Sequence, residues 1–161
     1  MTTSQYQCND DVELENLPDE DFSSNDGDGS NIKYNKTECW SPAIDDAYVQ
    51  VNLGEDIAIS GYRISGIETG YVETFTLSTK KKGQSQFEIY KDDATDSTQV
   101  FNGNSLTELD VNELFPDGKT IVVDSIRVYP KDVSSDTICM KFDLVGCTKV
   151  STSQPTTQPT G

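Results

Sequence analysis

Four cysteines bracket the chain: Cys8 and Cys39 lie near its start, Cys139 and Cys147 near its finish, and none falls between Cys39 and Cys139. An even number of cysteines, no Cys-x-x-Cys spacing and no histidine argue for disulfides rather than zinc or thiol redox chemistry. Disulfides persist in oxidising compartments, so the sequence predicts an extracellular protein, secreted or the ectodomain of a membrane protein. Four cysteines allow three pairings, and composition does not choose among them.

A chain of 161 residues fits one domain, long enough to bury a single core. Its hydrophobic content of 34% is low, and the deficit sits in the first thirty-odd residues and the last dozen, so the middle reads as the folded part. The last residues, Ser151 to Gly161, read STSQPTTQPTG, a Ser/Thr/Pro run with nothing apolar to bury. The domain is therefore placed at residues 8–147, followed by a Ser/Thr/Pro-rich linker at 148–161. No stretch reaches the roughly 18 apolar residues of a membrane span, and no basic-then-apolar signal region follows Met1. Together with the disulfides this predicts a piece of a larger multidomain protein. With 12 Lys+Arg against 28 Asp+Glu the formal charge is -16, which repels phosphate backbones and anionic membrane surfaces; nucleic acid is not an expected partner.

Short alternating segments fill the middle, and none carries helical apolar spacing over ten or more residues. Val49, Val51 and Leu53 alternate with Gln50 and Asn52; Ile138, Met140, Phe142 and Leu144 alternate with Cys139, Lys141 and Asp143. Further strands are expected at Ile57 to Ile67, with a phase slip near Gly61 that a bulge would explain, and at Phe75 to Thr79, Phe87 to Tyr90, Ile121 to Val123 and Ile126 to Tyr129. Gly54, Gly70, Lys82-Gly83, Asn102-Gly103-Asn104 and Pro116-Asp117-Gly118 supply turn signals between them. The fold class read from this pattern is all-β, a sandwich of about eight strands.

The segments WSPAIDDAYVQVNLG (Trp40 to Gly54), ISGYRISG (Ile59 to Gly66), VFNGN (Val100 to Asn104), IRVYP (Ile126 to Pro130) and ICMKFDLVGC (Ile138 to Cys147) occur in an order that resembles a discoidin domain, also called the coagulation factor 5/8 type C domain. The LPDEDFSS run at Leu17 to Ser24 belongs to the same match, which extends from Cys8 to Cys147. The resemblance implies a galactose-binding-domain-like fold, a distorted jelly-roll β-sandwich or barrel of eight antiparallel strands. It also implies a bond between the first and last cysteines, Cys8 with Cys147. Collagen-receptor-like members carry a second pair, which corresponds here to Cys39 with Cys139.

Such domains bind ligands through loops at one end of the barrel, which by the resemblance are residues 23–38, 68–73 and 102–108 here. In the first loop Asn25, Asp26 and Asp28 surround two glycines; Asp26 and Asp28 are the oxygens that would admit calcium, although the spacing is not that of an EF-hand. No cofactor is required by this reading, and calcium is the one metal it admits. Asn25, Asp26, Asp28, Lys33 and Tyr34 of the first loop, with Tyr71, Val72 and Glu73 of the second and Asn104 of the third, are the expected ligand-binding residues. Trp40, beside Cys39, is expected to pack against a Cys39–Cys139 bond rather than to touch ligand. Family members that insert into membranes carry bulky apolar tips above basic residues, and the first loop here is acidic instead, so an anionic membrane is not an expected partner. Collagen-binding members use a loop tryptophan and arginine; the arginines here, Arg63 and Arg127, fall in strands. Asn35-Lys36-Thr37 is an N-glycosylation sequon on the first loop.

No residue is assigned a catalytic role: there is no histidine, no Gly-x-Ser-x-Gly elbow and no Gly-rich phosphate loop. The sequence therefore predicts a non-enzymatic extracellular recognition and cell-adhesion module that binds a cell-surface or matrix protein, or a glycan, through its end loops. The alternative is a calcium-dependent carbohydrate-binding module of a secreted multidomain protein, and a purely structural spacer is a further rival.

Overall fold

In the computed structural model Val49, Val51 and Leu53 are buried while Gln50 and Asn52 are half-exposed, the one-faced strand that alternation predicts. The structure describes residues 6–43, 46–92, 95–115 and 118–149, without the side chains of 6–11 and 147–149. Its strands are β1 (Tyr6–Asp11), β2 (Phe22–Ser24), β3 (Val49–Ser65), β4 (Val72–Lys80), β5 (Glu88–Ile89), β6 (Phe101–Asn102), β7 (Asp110–Leu114), β8 (Ile121–Val133) and β9 (Lys141–Lys149). All pair antiparallel in one sheet of order β1-β9-β3-β8-β4-β5, with β2 and β7 also on β3 and β6 on β4. Among the described residues the helical pieces are short 3-10 turns, and no helix is long and apolar enough to cross a membrane.

β3 organises the fold. Its first part pairs with β8 through Val49↔Val128 and Val51↔Ile126, and its last part with β9 through Tyr62↔Leu144 and Ile64↔Phe142. The register against β9 slips between Ile59 and Gly61, where the sequence predicts a bulge. That extra residue reverses the side-chain phase, so Ile59 before it and Tyr62 and Ile64 after it are all buried. Gly61 is required there by proximity, since a Cβ at that position would lie 2.2 Å from the Glu113 carbonyl oxygen of β7. Gly54 does not separate two strands as expected; it lies inside β3 at φ 86°, where the register against β8 shifts between Asn52 and Ile57. β3 and β8 stay paired on both sides of this shift.

The two layers meet in an aromatic cluster. Tyr62 of β3 contacts Phe75 of β4, which is not its hydrogen-bonded neighbour, at 4.9 Å between ring centroids. Phe101, Phe115 and Phe142 surround them. The Tyr62 hydroxyl donates to the Asn102 carbonyl at 2.6 Å, and burial, reinforced by Glu113, raises its pKa above the usual phenol range. Several expected boundaries move. Ile121 to Val123 and Ile126 to Tyr129 are one strand, β8, and Phe87 to Tyr90 shortens to β5. Ile138 and Met140 are buried as predicted but precede β9, with Met140 bridged to Trp40. β9 itself continues through Thr148 and Lys149, which pair with Gln7 and Tyr6.

Cys39 and Cys139 form a disulfide, with Cα atoms 5.2 Å apart, as the resemblance implies. Cys8 and Cys147 fall between the β1–β9 pairs Gln7↔Thr148 and Asp10↔Gly146, but their side chains lie outside the described residues. Pro116, Asp117 and the run Ser151 to Gly161 lie outside them as well.

Candidate ligand-binding end

The ends of β3, β4, β7, β8 and β9 gather at one pole. Ser65 pairs with both Asp110 and Lys141, and Val72 pairs with Val133. Tyr71 and Ser134 exchange hydrogen bonds, and Ser135 Oγ donates to the Thr69 carbonyl. The second and third loops and the β8–β9 connection therefore share this pole. The first loop joins it through the Trp40–Met140 bridge and the Cys39–Cys139 bond.

The polar groups of the first loop stitch the loop to itself. Asp28 caps a 3-10 turn, its Oδ1 accepting from the Ser30 amide at 3.0 Å and the Ser30 hydroxyl at 2.7 Å. Asp26 Oδ2 accepts from the Ala43 amide at 2.5 Å, and its carbonyl accepts the Trp40 indole N–H at 2.8 Å. Asn25 bridges the Tyr48 amide and the Asp46 carbonyl. Trp40 is 1% exposed and belongs to the core. Among the described residues no group of three or more His, Cys, Asp or Glu side chains is placed to hold a metal ion, and the Asp26 and Asp28 carboxylates bond within and beside the loop instead. What stands at the centre of the loop is the Lys141 ammonium, which donates to the carbonyls of Asn31, Lys33, Lys36 and Glu38 at 2.8, 2.8, 3.0 and 2.5 Å.

The expected Lys33–Tyr34 patch does not form, because Lys33 is 4% exposed. Its ammonium donates to the Leu17 carbonyl at 2.7 Å and to Asp19 at 2.8 Å, lying over the Phe22 ring. Lys36 also reaches Asp19, and the two lysines, Lys33 first, hold that carboxyl below its usual pKa. Tyr34 is half-buried: its hydroxyl meets Ser65 Oγ at 2.7 Å and Arg63 stacks 4.3 Å above its ring. Burial raises that phenol's pKa. Arg63 in turn makes a two-pronged pair with Asp110, which lowers the Asp110 pKa. Arg127 lies in β8 between the Tyr48 and Phe87 rings, so both arginines are strand residues as expected. Asn35 and Thr37 of the sequon are exposed.

The other expected residues divide. Val72 is buried at 1%, a core residue rather than a contact, and Tyr71 is half-buried with its main chain bonded to Ser134. Glu73 is exposed, and its carbonyl accepts from the Gly103 amide. Asn104 is 4% exposed; its Nδ2 donates to the Ile64 and Glu108 carbonyls while its Oδ1 has no partner. Glu73 and Asn104 line one cavity of about 620 Å³ between the start of β4, β6, the third loop and β7, together with Asn102, Glu108, Asp110 and Glu113. Asp110, Asn112 and Glu113 were not anticipated. The polar run DVNE at Asp110 to Glu113, directly after the third loop, is the signal that points to them. The tight turns Ile67–Gly70 and Ser105–Glu108 leave Ile67 and Leu106 exposed at 48% and 61% on the same pole.

A wrapped β-sheet with its long loops at one pole and a polar trough beside them is a binding scaffold. The family model of the F5/8 type C domain matches residues 17–144, and the chain belongs to that family. Among curated protein sequences none matches it. Discoidin II of Dictyostelium discoideum superimposes with a TM-score of 0.60 at 12% identity over 81% of this chain, which spans 56% of that one. The family 32 CBM of C. perfringens NanJ, solved in complex with galactose, gives 0.59 at 12% identity, covering 84% and 98% of the two chains. Chitosan-binding module 2 from the chitosanase/glucanase of Paenibacillus sp. IK-5, solved with chitotriose, gives 0.52 at 13% identity, covering 76% and 93%.

Proposed function

We propose that this chain is a non-catalytic extracellular recognition module that binds a glycan through the trough beside its third loop. The carrying observation is the lining of that trough: Glu73, Glu108, Asp110 and Glu113 supply carboxylate oxygens suited to accept from sugar hydroxyls, and Asn102 and Asn112 supply amides that can donate and accept. Among the described residues no lysine or arginine lines it, and Arg63 pairs with Asp110 at its edge. The carboxylates therefore repel sialylated or sulfated sugars and favour neutral or amine-bearing ones. Sugar ligands of similar folds, galactose and chitotriose, support this choice. Residues 8–147 act as the recognition unit and the Ser/Thr/Pro run from Ser151 as a spacer within a larger multidomain protein, a setting suited to cell adhesion. An N-glycan at Asn35 would stand on the first loop, and Asn35 is not one of the trough's lining residues.

A glycan array of neutral, amino and acidic sugars tests this reading. Binding confined to neutral or amino sugars is expected. Glu73→Gln combined with Glu108→Gln is expected to weaken it by about tenfold, the scale of one charge-assisted hydrogen bond. Preference for acidic glycans, or unchanged affinity in the double variant, would move the site elsewhere.

A further inference from the structure

We infer that the Lys141 ammonium is the resident cation of the first loop: it fills a cage of four main-chain carbonyls, and the shape of that loop is therefore independent of calcium. The inference stands on the fold alone and goes beyond the glycan reading. Lys141 opens β9 opposite Ser65, so its backbone is anchored in the sheet while its side chain reaches into the loop. The carbonyls of Asn31, Lys33, Lys36 and Glu38 come from either side of a tight reversal and point at one nitrogen. Four dipoles aimed at one point repel each other unless a positive charge sits between them, which is the arrangement a hard cation otherwise satisfies. Three N–H groups serve four acceptors here, so one hydrogen is shared.

The anionic side chains that a calcium ion would recruit are engaged elsewhere. Asp28 caps Ser30, Asp26 accepts from Ala43, and Asp19 pairs with Lys33 and Lys36. Lys36 stands near enough to depress the Lys141 pKa in addition to its burial, so a divalent ion approaching the cage meets two ammonium groups.

Amide hydrogen exchange of residues 31–38, measured on the whole chain without glycan, tests the inference. Wild-type exchange is expected to be the same with millimolar calcium and with chelator. Calcium-dependent protection of residues 31–38 would overturn it, and this measurement decides the matter even if no variant folds. Lys141→Ala is expected to exchange about tenfold faster over residues 31–38, with β4 and β8 unchanged. Adding n-butylammonium, which replaces the deleted cation, is expected to slow that exchange again, whereas sodium chloride of equal ionic strength is not. Exchange in Lys141→Ala equal to wild type, or rescue by sodium chloride alone, would overturn the inference.

Discussion

Lys33 illustrates what a polar side chain does when its stem is buried and its charge is not left alone. A lysine in an acidic loop reads as exposed from sequence, yet here the methylenes are buried and the ammonium finds the Leu17 carbonyl and Asp19. Nothing in the local spacing reveals this, because its partners lie 14 to 16 residues earlier. The Asp19 carboxyl that receives it has a folded pKa below the unfolded value, so its contribution to stability is present above the ordinary carboxylate range and is lost as pH falls through the folded pKa. Denaturant unfolding of Asp19→Asn is therefore expected to differ from wild type by a constant amount above the ordinary carboxylate range, the difference closing as pH falls through and below that range. A difference that grows on acidification would contradict the assignment. Asn104 was legible as a site residue only in part: its position beside the trough follows from the third loop, whereas its burial does not.

Among the elements, β3 depends on a single residue of phase. Ile59 sits on one side of the bulge and Ile64 on the other, and both reach 0% exposure because the chain slips once between them. Gly61→Ala would place a methyl against the Glu113 carbonyl and force β7 away from β3, with an expected loss of about 3 kcal/mol in denaturant unfolding. A loss under about 1 kcal/mol would mean that the β3–β7 ladder yields easily. This bulge could be read from sequence because both flanking runs bury one face, and alternation records that burial. β7 left no such trace: of Asp110 to Leu114 only Val111 packs against the core, and Leu114 is 54% exposed. Its place is set by main-chain hydrogen bonds to β3, to which side-chain periodicity is blind. β2, a three-residue strand, and β6, with two residues, are too short to show a period at all.

For the whole molecule, the Cys39–Cys139 bond closes a loop of sequence separation 100 and joins the first loop to the β8–β9 connection. Replacing both cysteines by alanine is expected to cost about 4 kcal/mol of stability, read by denaturant unfolding, through the freedom restored to the unfolded chain. A cost near zero would show that the unfolded chain stays collapsed around that region. The pairing itself was legible only through the family resemblance, since spacing leaves all three arrangements open. The β1–β9 ladder has a consequence of its own. β9 starts at the loop pole with Lys141 and ends at Lys149 beside Tyr6, so the polypeptide enters and leaves the domain at the opposite pole. The Tyr6–Lys149 pair and the loops thus lie at opposite ends of β9, and the loops project outward like a hand held away from the shoulder.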